Sequence, residues 1–343
     1  MSGPPAGDLD LERFRFRGLH PQIHLGTASD RYAGWLGQIY DPERFAHRVT
    51  RRTKSLGGRK FVEEVLPVEC VGEYFEHFPV LELDYTFYGP LLDPAGKPTG
   101  IYRTLLAYRG QLPEGARLLL KAPQAVTAHV LRRGGAVVPN PEYLNPELFA
   151  HRFLRPAAEL LGPALAGVIL EQEYRRKDER EAPERAAEEW GRFFAAVPAC
   201  GLYHLELRTE AYLAPPLFQV LEHHGVGQVL SHWTWLPPLL RQFELGEGKF
   251  RNGSGEAVVR LMTPRNVRYE DAYAAAHPFD RLVPGMLDPG MVGDAATLMH
   301  EAAGRGQRLH VIVNNRAGGN APLIARALAR EFLARSGAQG AQS

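Results

Sequence analysis

The chain has 343 residues, 45% of them hydrophobic, and its 40 basic and 39 acidic side chains leave a net charge of +1. That length and apolar content allow a large buried core, while the charge balance excludes a global attraction to nucleic acid or anionic membranes. Cys70 and Cys200 are far apart and lack metal-type spacing, as is typical of a reducing compartment. There is no signal-like start and no apolar run of roughly 18 residues. We therefore expect a cytoplasmic protein without a membrane partner.

Strand-like and helix-like segments alternate along the chain. The predicted strands are Ile23–Thr27, Val80–Asp84, Arg117–Lys121, Gly167–Glu171, Leu202–Leu207, Gly227–Ser231, Ala257–Met262 and Leu309–Val313. The predicted helices are Val71–Phe78, Pro146–Leu161, Pro183–Ala196, Pro215–His224, Ala295–Arg305 and Pro322–Ala334. Such alternation favours a parallel sheet, and eight units in this length favour a single TIM-type (β/α)8 barrel of the α/β class.

We predict one barrel domain over residues 19–334, preceded by a flexible segment, 1–18, and followed by a flexible tail, 335–343. Two charged segments extend the strand-to-helix loops: 41–60, which is rich in Arg and Lys, and 171–189, which mixes both signs. Such loops lie on the catalytic face of a TIM barrel, although charged runs are more often simply solvated.

Charged residues collect near the ends of the predicted strands. Because side chains alternate between the two faces of a strand, the leucines beside these charges face the helices and the charges face the barrel interior. His204 shares the inward face of its strand. The charged residues predicted to face the interior are Glu82, Asp84, Lys121, Glu206, Arg208 and Arg260.

Three acids and three bases neutralise one another, which makes their burial tolerable. One interpretation is an ion network that only fills the barrel. The other is a polar site for an anionic or polyhydroxylated ligand, with an acid or amine whose pKa is tuned by its neighbours. We favour the second interpretation, because barrel interiors usually hold branched apolar residues.

Six sequence motifs in a fixed order carry a family resemblance. They are Gly26-Thr27-Ala28-Ser29 through Tyr40, Glu82-Leu83-Asp84-Tyr85-Thr86-Phe87-Tyr88, Lys121-Ala122-Pro123 with Thr127 and His129, Gln172, Glu206-Leu207-Arg208, and Asn314-Asn315 followed by Gly318 to Pro322. On these motifs the chain resembles the family called domain of unknown function 72, or YecE-like, over about Ile23 to Leu333. The resemblance implies a TIM-type barrel and implies no particular reaction.

The chain departs from the family pattern at several positions. Asp84 stands where the family usually has Asn. Thr209 and Tyr212 follow the fifth strand, where the family has His and then Trp. Arg260 is followed by residues 261–264, Leu-Met-Thr-Pro, where the family has an Arg-x-His-Gly pattern. The chain therefore resembles a divergent member, and any proton transfer by those histidines is lost or rearranged.

Gly318, Gly319 and Asn320 precede the last predicted helix. Asn320 is a good N-cap, and glycines at a helix N-terminus can present backbone N–H groups to a phosphate. TIM barrels often bind phosphate at this place. The alternative is an ordinary glycine-rich turn before a capped helix.

Aromatic residues near the strand ends, among them Tyr32, Tyr88, Trp233 and Trp235, can stack on a base or sugar, although most such residues pack under loops. His129, His204 and His232 with nearby carboxylates offer metal ligands. However, the chain has no His-Glu-x-x-His motif and no close histidine pair. We predict neither a metal nor another cofactor.

We expect an enzyme with acid/base chemistry, such as a hydrolase, lyase or isomerase, that acts on an anionic, phosphorylated or sugar-containing small molecule at the C-terminal face of the barrel. The catalytic candidates are Glu82, Asp84 and Glu206. The substrate-binding candidates are Tyr32, Tyr88, Lys121, Gln172, Arg208, Arg260, Asn314 and Asn315. Two alternatives stay open: a nucleic-acid-associated protein that uses Arg44–Lys60, and a ligand-binding barrel without catalysis.

Overall fold

The structure is a computed structural model that describes residues 9–133 and 136–340. Its strands in chain order are β1 (Ile23–Ala28), β2 (Thr50–Leu56), β3 (Arg59–Val65), β4 (Val80–Leu83), β5 (Arg117–Lys121), β6 (Val130–Arg133), β7 (Ala136–Pro139), β8 (Leu165–Glu171), β9 (Tyr203–Glu206), β10 (Gly227–His232), β11 (Glu256–Leu261) and β12 (Arg308–Val313). Eight of them pair in parallel as a closed barrel in the order β1-β12-β11-β10-β9-β8-β5-β4. The TIM-type α/β barrel is therefore confirmed, with a strand at each predicted place.

The helices are α1 (Pro42–Phe45), α2 (Val71–His77), α3 (Gly100–Arg109), α4 (Gln124–Thr127), α5 (Pro146–Phe149), α6 (Arg155–Leu161), α7 (Pro183–Ala196), α8 (Pro215–His224), α9 (Leu239–Leu245), α10 (Tyr269–Ala276), α11 (Pro289–Gly304) and α12 (Ala321–Gly340). A π-helical stretch, Ala150–Leu154, lies between α5 and α6, inside the predicted helix 146–161. α7, α8 and α11 begin at proline, whose fixed φ suits the first turn of a helix. None of the described helices is long and apolar enough to cross a membrane.

Antiparallel hairpins occupy two of the long strand-to-helix loops. β2 lies in the basic segment that follows β1 and pairs with β3, most of which lies beyond that segment, and β6 pairs with β7 after β5. Gly57 and Gly58 join β2 to β3 and both have positive φ, as a tight two-residue hairpin turn requires. Two glycines between alternating residues are the sequence signal for this hairpin, and it was missed.

Side chains inside the barrel form layers along its axis. On β11, Glu256, Val258 and Arg260 occupy successive inward positions from the start of the strand to its end. A separate apolar cluster contains Ala28, Val80, Leu119, Ala166, Ile169, Val229, Val258, Met262 and Ile312, and its member Val258 lies between Glu256 and Arg260 along β11. Charged and polar groups therefore concentrate at the two ends of the barrel.

The N-terminal end of the barrel holds buried histidines around Glu256. The carboxylate of Glu256 accepts hydrogen bonds from Arg117, from Arg308 Nη1 at 2.8 Å and from His310 Nε2 at 2.7 Å. The ring of His204 fits beside Gly167, where a Cβ atom would lie 3.0 Å from the ring. Burial lowers the pKa of His204 to about 3. Burial therefore keeps His204 neutral well below the usual histidine pKa, and the neighbouring His310, Arg117 and Arg308 keep the pKa of Glu256 below its usual range.

The ends of the chain bear on the predicted domain limits. Residues 1–8 of the predicted flexible segment and residues 341–343 of the predicted tail lie outside the described residues. Phe14 and Phe16 are buried in the main core, and the Phe16 N–H donates to the backbone oxygen of His77 at 2.9 Å. α12 continues to Gly340. The limits 19 and 334 stay a prediction.

We predict that the free energy of unfolding decreases as the pH is lowered from 6.5, because His204 is buried in its neutral form. An unfolded histidine takes up a proton near pH 6.5, whereas His204 in the folded state does so near pH 3. The stabilisation is therefore complete above pH 6.5 and is lost as the pH falls, by about 1.4 kcal/mol per pH unit between pH 6 and 4. Urea unfolding at several pH values measures this slope.

His204→Asn removes the titrating ring, so the slope of unfolding free energy against pH should shrink by that amount. His47→Asn, at an exposed position, is the matched control and should keep the wild-type slope. An unchanged slope in His204→Asn would contradict the assignment.

Candidate functional site

Arg260 lies at the centre of a buried ion network at the C-terminal end of the barrel. Its Nε and Nη2 donate to the two oxygens of Glu82 at 2.8 and 2.6 Å, which is a bidentate pair. Its Nη1 donates to Glu206 Oε2 at 2.5 Å and to Glu171 Oε1 at 3.0 Å. One guanidinium therefore joins carboxylates from β4, β8 and β9.

Lys121 and Arg208 complete the network. Lys121 Nζ lies 2.6 Å from Glu171 Oε1. Arg208 donates from Nη2 to Glu171 Oε1 at 2.7 Å and from Nε to Glu206 Oε2 at 2.9 Å. We call this set the charge network, and its members are Glu82, Lys121, Glu171, Glu206, Arg208 and Arg260. The structure thus brings together five of the six charged residues predicted to face the interior.

Glu171 is the member that the site prediction left out. It is the last residue of β8, and it accepts from Lys121, Arg208 and Arg260. The available signal was the one used for the other strands, since Glu171 ends an apolar run with a charge. Glu171 is also the first residue of the charged segment 171–189, which is why its inward position was not predicted.

The network separates the pKa values of its carboxyl groups. Burial raises the pKa of Glu82, and the opposing charge of Arg260 only partly offsets this. Burial also acts on Glu171, but Arg208, Lys121 and Arg260 together lower the pKa of its carboxyl well below the usual range. Environments that shift the pKa values of neighbouring carboxyl groups in opposite directions are typical of acid/base sites.

Burial divides the network into an inner and an outer layer. The side chains of Glu82, Glu206 and Arg260 are fully buried. Those of Lys121 and Arg208 keep 11% and 20% of their surface exposed. The cations are therefore the first part of the network that a molecule entering the mouth of the barrel meets.

Each outer cation lies against an aromatic ring. Lys121 Nζ is 4.2 Å from the ring centroid of Phe87, and Arg208 Cζ is 5.2 Å from that of Trp233. Trp233 contacts Tyr174, which stacks on Trp235 with 6.1 Å between centroids. Tyr174 and Trp235 are both exposed. Aromatic surface thus continues outward from the cations.

Asp84 lies outside the charge network. β4 ends at Leu83, and Asp84 begins a 3-10 helix, so strand alternation no longer sets its direction. Its carboxylate accepts from Ser29 Oγ at 2.5 Å. The ring of Tyr32 packs against Trp35 and Phe279, whereas Tyr88 is 76% exposed. Of these predicted site residues, Tyr88 offers free surface.

The predicted amide residues brace the loops around the mouth. Gln172 Oε1 accepts from the backbone N–H groups of Arg208 and Thr209, each at 3.1 Å. Asn315 Oδ1 accepts from Trp35 Nε1 at 3.2 Å and from the Ala321 N–H at 2.7 Å. Asn314 Oδ1 accepts from the N–H of Arg316. Gln172 therefore positions Arg208 through the backbone.

The glycine turn before α12 is engaged within the protein. The N–H groups of Gly318 and Gly319 both donate to the backbone oxygen of Asn315, at 3.3 and 2.6 Å. Asn320 caps α12 as predicted, because its Oδ1 accepts from the N–H of Leu323 at 2.9 Å. The N–H groups of both glycines already have partners, so we leave this turn out of the proposed site.

Carboxylates neutralise most of the basic segment that follows β1. The ion pairs are Arg44–Glu73, Arg48–Glu69, Arg51–Glu64, Arg52–Glu63, Lys54–Glu63 and Arg59–Asp271. These carboxylates would compete with a polyanion for the same cations. The geometry therefore does not favour the nucleic-acid alternative, which stays untested.

The predicted histidines do not converge. His129 stacks on Tyr143 with 3.8 Å between ring centroids, while His204 lies inside the barrel beside Gly167. Among residues 9–133 and 136–340, no three His, Cys, Asp or Glu side chains are arranged to hold a metal ion.

A closed parallel barrel with a charged C-terminal mouth places the protein among TIM-type α/β barrels. Within this class, the chain belongs to the family described as "Protein of unknown function DUF72", whose model matches residues 24–342. The resemblance inferred from the six motifs is thereby confirmed. No curated protein matches the chain.

Solved structures share the fold at low sequence identity. A DUF72 family protein from Thermotoga maritima MSB8 has a TM-score of 0.54 at 16% identity, covering 91% of this chain and 99% of its own. One from Enterococcus faecalis V583 has a TM-score of 0.52 at 15% identity, with coverage of 90% and 95%. A β-mannanase from the blue mussel Mytilus edulis has a TM-score of 0.34 at 11% identity, with coverage of 90% and 92%, and is too distant to inform function.

We predict that Arg260→Met strongly destabilises the fold, because it leaves three buried glutamates without their shared cation. Loss of one partner from a buried ion network costs about 3–5 kcal/mol. Urea unfolding at pH 7 measures the change. Lowering the pH should recover part of the loss, since protonated glutamates need no counter-charge.

Arg59→Met is the matched control for Arg260→Met. Its exposed ion pair with Asp271 has an N–O distance of 3.7 Å, and exposed pairs contribute about 0–1 kcal/mol. Comparable losses in the two variants would show that Arg260 is not the central support of the network.

Proposed function

We propose that the protein is an enzyme that binds an anionic, phosphorylated or sugar-containing small molecule at the C-terminal mouth of the barrel and transfers protons with buried glutamates. The observation that carries this proposal is how the members of the charge network are arranged from the barrel interior to the solvent. Its carboxylates lie inside, and its two outermost members are Lys121 and Arg208.

The outer cations favour an anionic group on the ligand. Lys121 offers an ammonium group, and Arg208 a planar guanidinium that can bind two oxygens of a phosphate or carboxylate together. The glutamates beneath balance these charges, so a bound anion shares the cations with Glu171 and Glu206. Binding is therefore expected to depend on ionic strength.

The aromatic surface beside the cations favours a ligand with a ring. Phe87 and Trp233 support the cations, and Tyr174 and Trp235 extend this surface toward solvent. Sugars and bases both stack on such faces. A ring attached to the anionic group would lie against these residues.

The inner layer supplies the proposed acid/base chemistry. Glu206 Oε1 is buried and has no hydrogen-bond partner among the described residues, so it can accept a proton from a bound molecule. Glu82, whose pKa is raised, is the neighbouring carboxyl group best able to hold a proton. Asp84 with Ser29 at the rim is a further catalytic candidate.

We predict that Lys121→Met and Arg208→Met each weaken the binding of sulfate by at least tenfold, which is about 1.4 kcal/mol. The reason is the loss of one of the two cations that face the mouth. Isothermal titration with sulfate measures the affinity, and soaked crystals show where the ion lies. Lys60→Met, on the exposed part of the hairpin, is the control and should bind as the wild type does.

Wild-type affinity in both mouth variants, or soaked crystals without sulfate at Lys121 and Arg208, would contradict the proposed anion site. Thermal unfolding of each variant establishes that it is folded before its affinity is compared.

We predict that Glu206→Gln retains ligand binding and lowers turnover by about 10²–10⁴-fold, the usual contribution of a general base. The amide preserves the shape of the side chain but cannot take up the proton. Mass spectrometry of small molecules that copurify with the protein identifies the ligand, and incubation of that ligand with fresh enzyme measures turnover.

Two results would overturn the catalytic part of the proposal. If the copurified ligand binds but is never converted by the wild type, the protein is a ligand-binding barrel. If Glu206→Gln converts it at the wild-type rate, Glu206 is not the base.

A further inference from the structure

A cavity opens at the opposite end of the barrel from the charge network. Its volume is about 400 Å³, within the range of small-molecule sites. It lies where α8 turns into β10, where the chain enters β11, and where α11 turns into β12. Its lining residues are Glu222, Gly225, Lys249, Phe250, Arg251, Asn252, Gly253, Arg305 and Gln307.

The cavity wall carries more positive than negative charge. Lys249, Arg251 and Arg305 contribute three cations, and Glu222 contributes the one carboxylate among the lining residues. Glu222 Oε2 lies 3.4 Å from Lys249 Nζ and 3.6 Å from Arg251 Nε, so its charge is already balanced. Two further carboxylates reach these cations from outside the lining: Glu247 lies 2.9 Å from Lys249 Nζ and 3.2 Å from Arg251 Nη2, and Glu301 lies 2.8 Å from Arg305 Nη2. An acceptor-rich ligand would therefore share the three cations with these glutamates.

Aromatic rings and backbone oxygens fix the two guanidinium groups in place. Arg251 Cζ lies 4.8 Å from the ring centroid of Phe218, and Arg305 Cζ lies 5.5 Å from that of Phe243. Arg251 Nη1 and Arg305 Nη1 also donate to backbone oxygens of the 246–248 turn. Little side-chain entropy remains to be lost when a ligand binds.

Two buried donors on the cavity wall lack an acceptor. Arg251 has only 2% of its side chain exposed, yet its Nε makes no hydrogen bond with the described residues. Gln307 Nε2 is also buried and makes no hydrogen bond with the described residues. Buried polar groups normally have a partner, and both of these are N–H groups, so their missing partner is an acceptor atom.

We propose that this cavity is a second anion site, for a small molecule that carries a phosphate group. Arg305, Lys249 and the Nε of Arg251 would hold the phosphate oxygens, and Phe250 would flank the remainder of the molecule. The site is distinct from the mouth of the barrel and does not depend on the function proposed there.

Titration with inorganic pyrophosphate tests the site, by calorimetry and by the rise in unfolding temperature that follows from binding to the folded state. The double variant Lys249→Gln/Arg305→Gln changes two half-exposed side chains, so it should fold. We expect its affinity for pyrophosphate to fall at least tenfold. The mouth variant Arg208→Met should leave one wild-type binding event intact.

The outcomes separate the two sites. Pyrophosphate affinity that is lost in Arg208→Met and unchanged in the double variant would overturn the second site while supporting the first. Failure of the wild type to bind pyrophosphate would overturn the second site as well. Loss confined to the double variant would support it, whatever sulfate does at the mouth.

Discussion

The pairing of one guanidinium with three carboxylates is the interaction on which the barrel depends. Arg260 on β11 pairs with carboxylates on β4, β8 and β9, which are Glu82, Glu171 and Glu206. These charges are therefore neutralised only when the sheet closes and brings the four strands around one interior. An open sheet would leave the acids without a shared cation. The fold therefore cannot be separated from the chemistry of its C-terminal end.

The members of this network differ in burial, from fully buried side chains inside the barrel to partly exposed ones at its mouth. Because Arg260 satisfies the inner carboxylates, Lys121 and Arg208 are left nearest the solvent, each on an aromatic ring. At the other end of the barrel, buried charged groups are again paired with groups of opposite charge. There Glu256 accepts hydrogen bonds from Arg117, Arg308 and His310, and the apolar Val258 lies between Glu256 and Arg260 along β11. The molecule thus has a hydrogen-bonded polar cluster at each end of its barrel.

Strand alternation predicted the interior well, because it depends on local geometry alone. It placed Glu82, Glu206 and Arg260 correctly and failed at Asp84, where the strand has already ended. Tertiary contacts lay beyond it. Arg51 and Arg52 lie in the charged segment 41–60 and pair across the hairpin with Glu64 and Glu63, which lie outside that segment. Gly319 packs closely against a distant segment, 281–283. The lining of the cavity at the N-terminal end comes from three separate connections of the chain, which no local sequence pattern reveals.

The histidine inside the barrel limits which sequences this fold accepts. Gly167 and Gly227 flank the ring of His204, and a methyl group at either position would press on it. Alanine at either glycine is therefore tolerated only after residue 204 has become smaller, while a smaller residue 204 alone leaves a void that costs stability. The three positions are coupled, so the order in which mutations arise decides whether each is neutral or damaging.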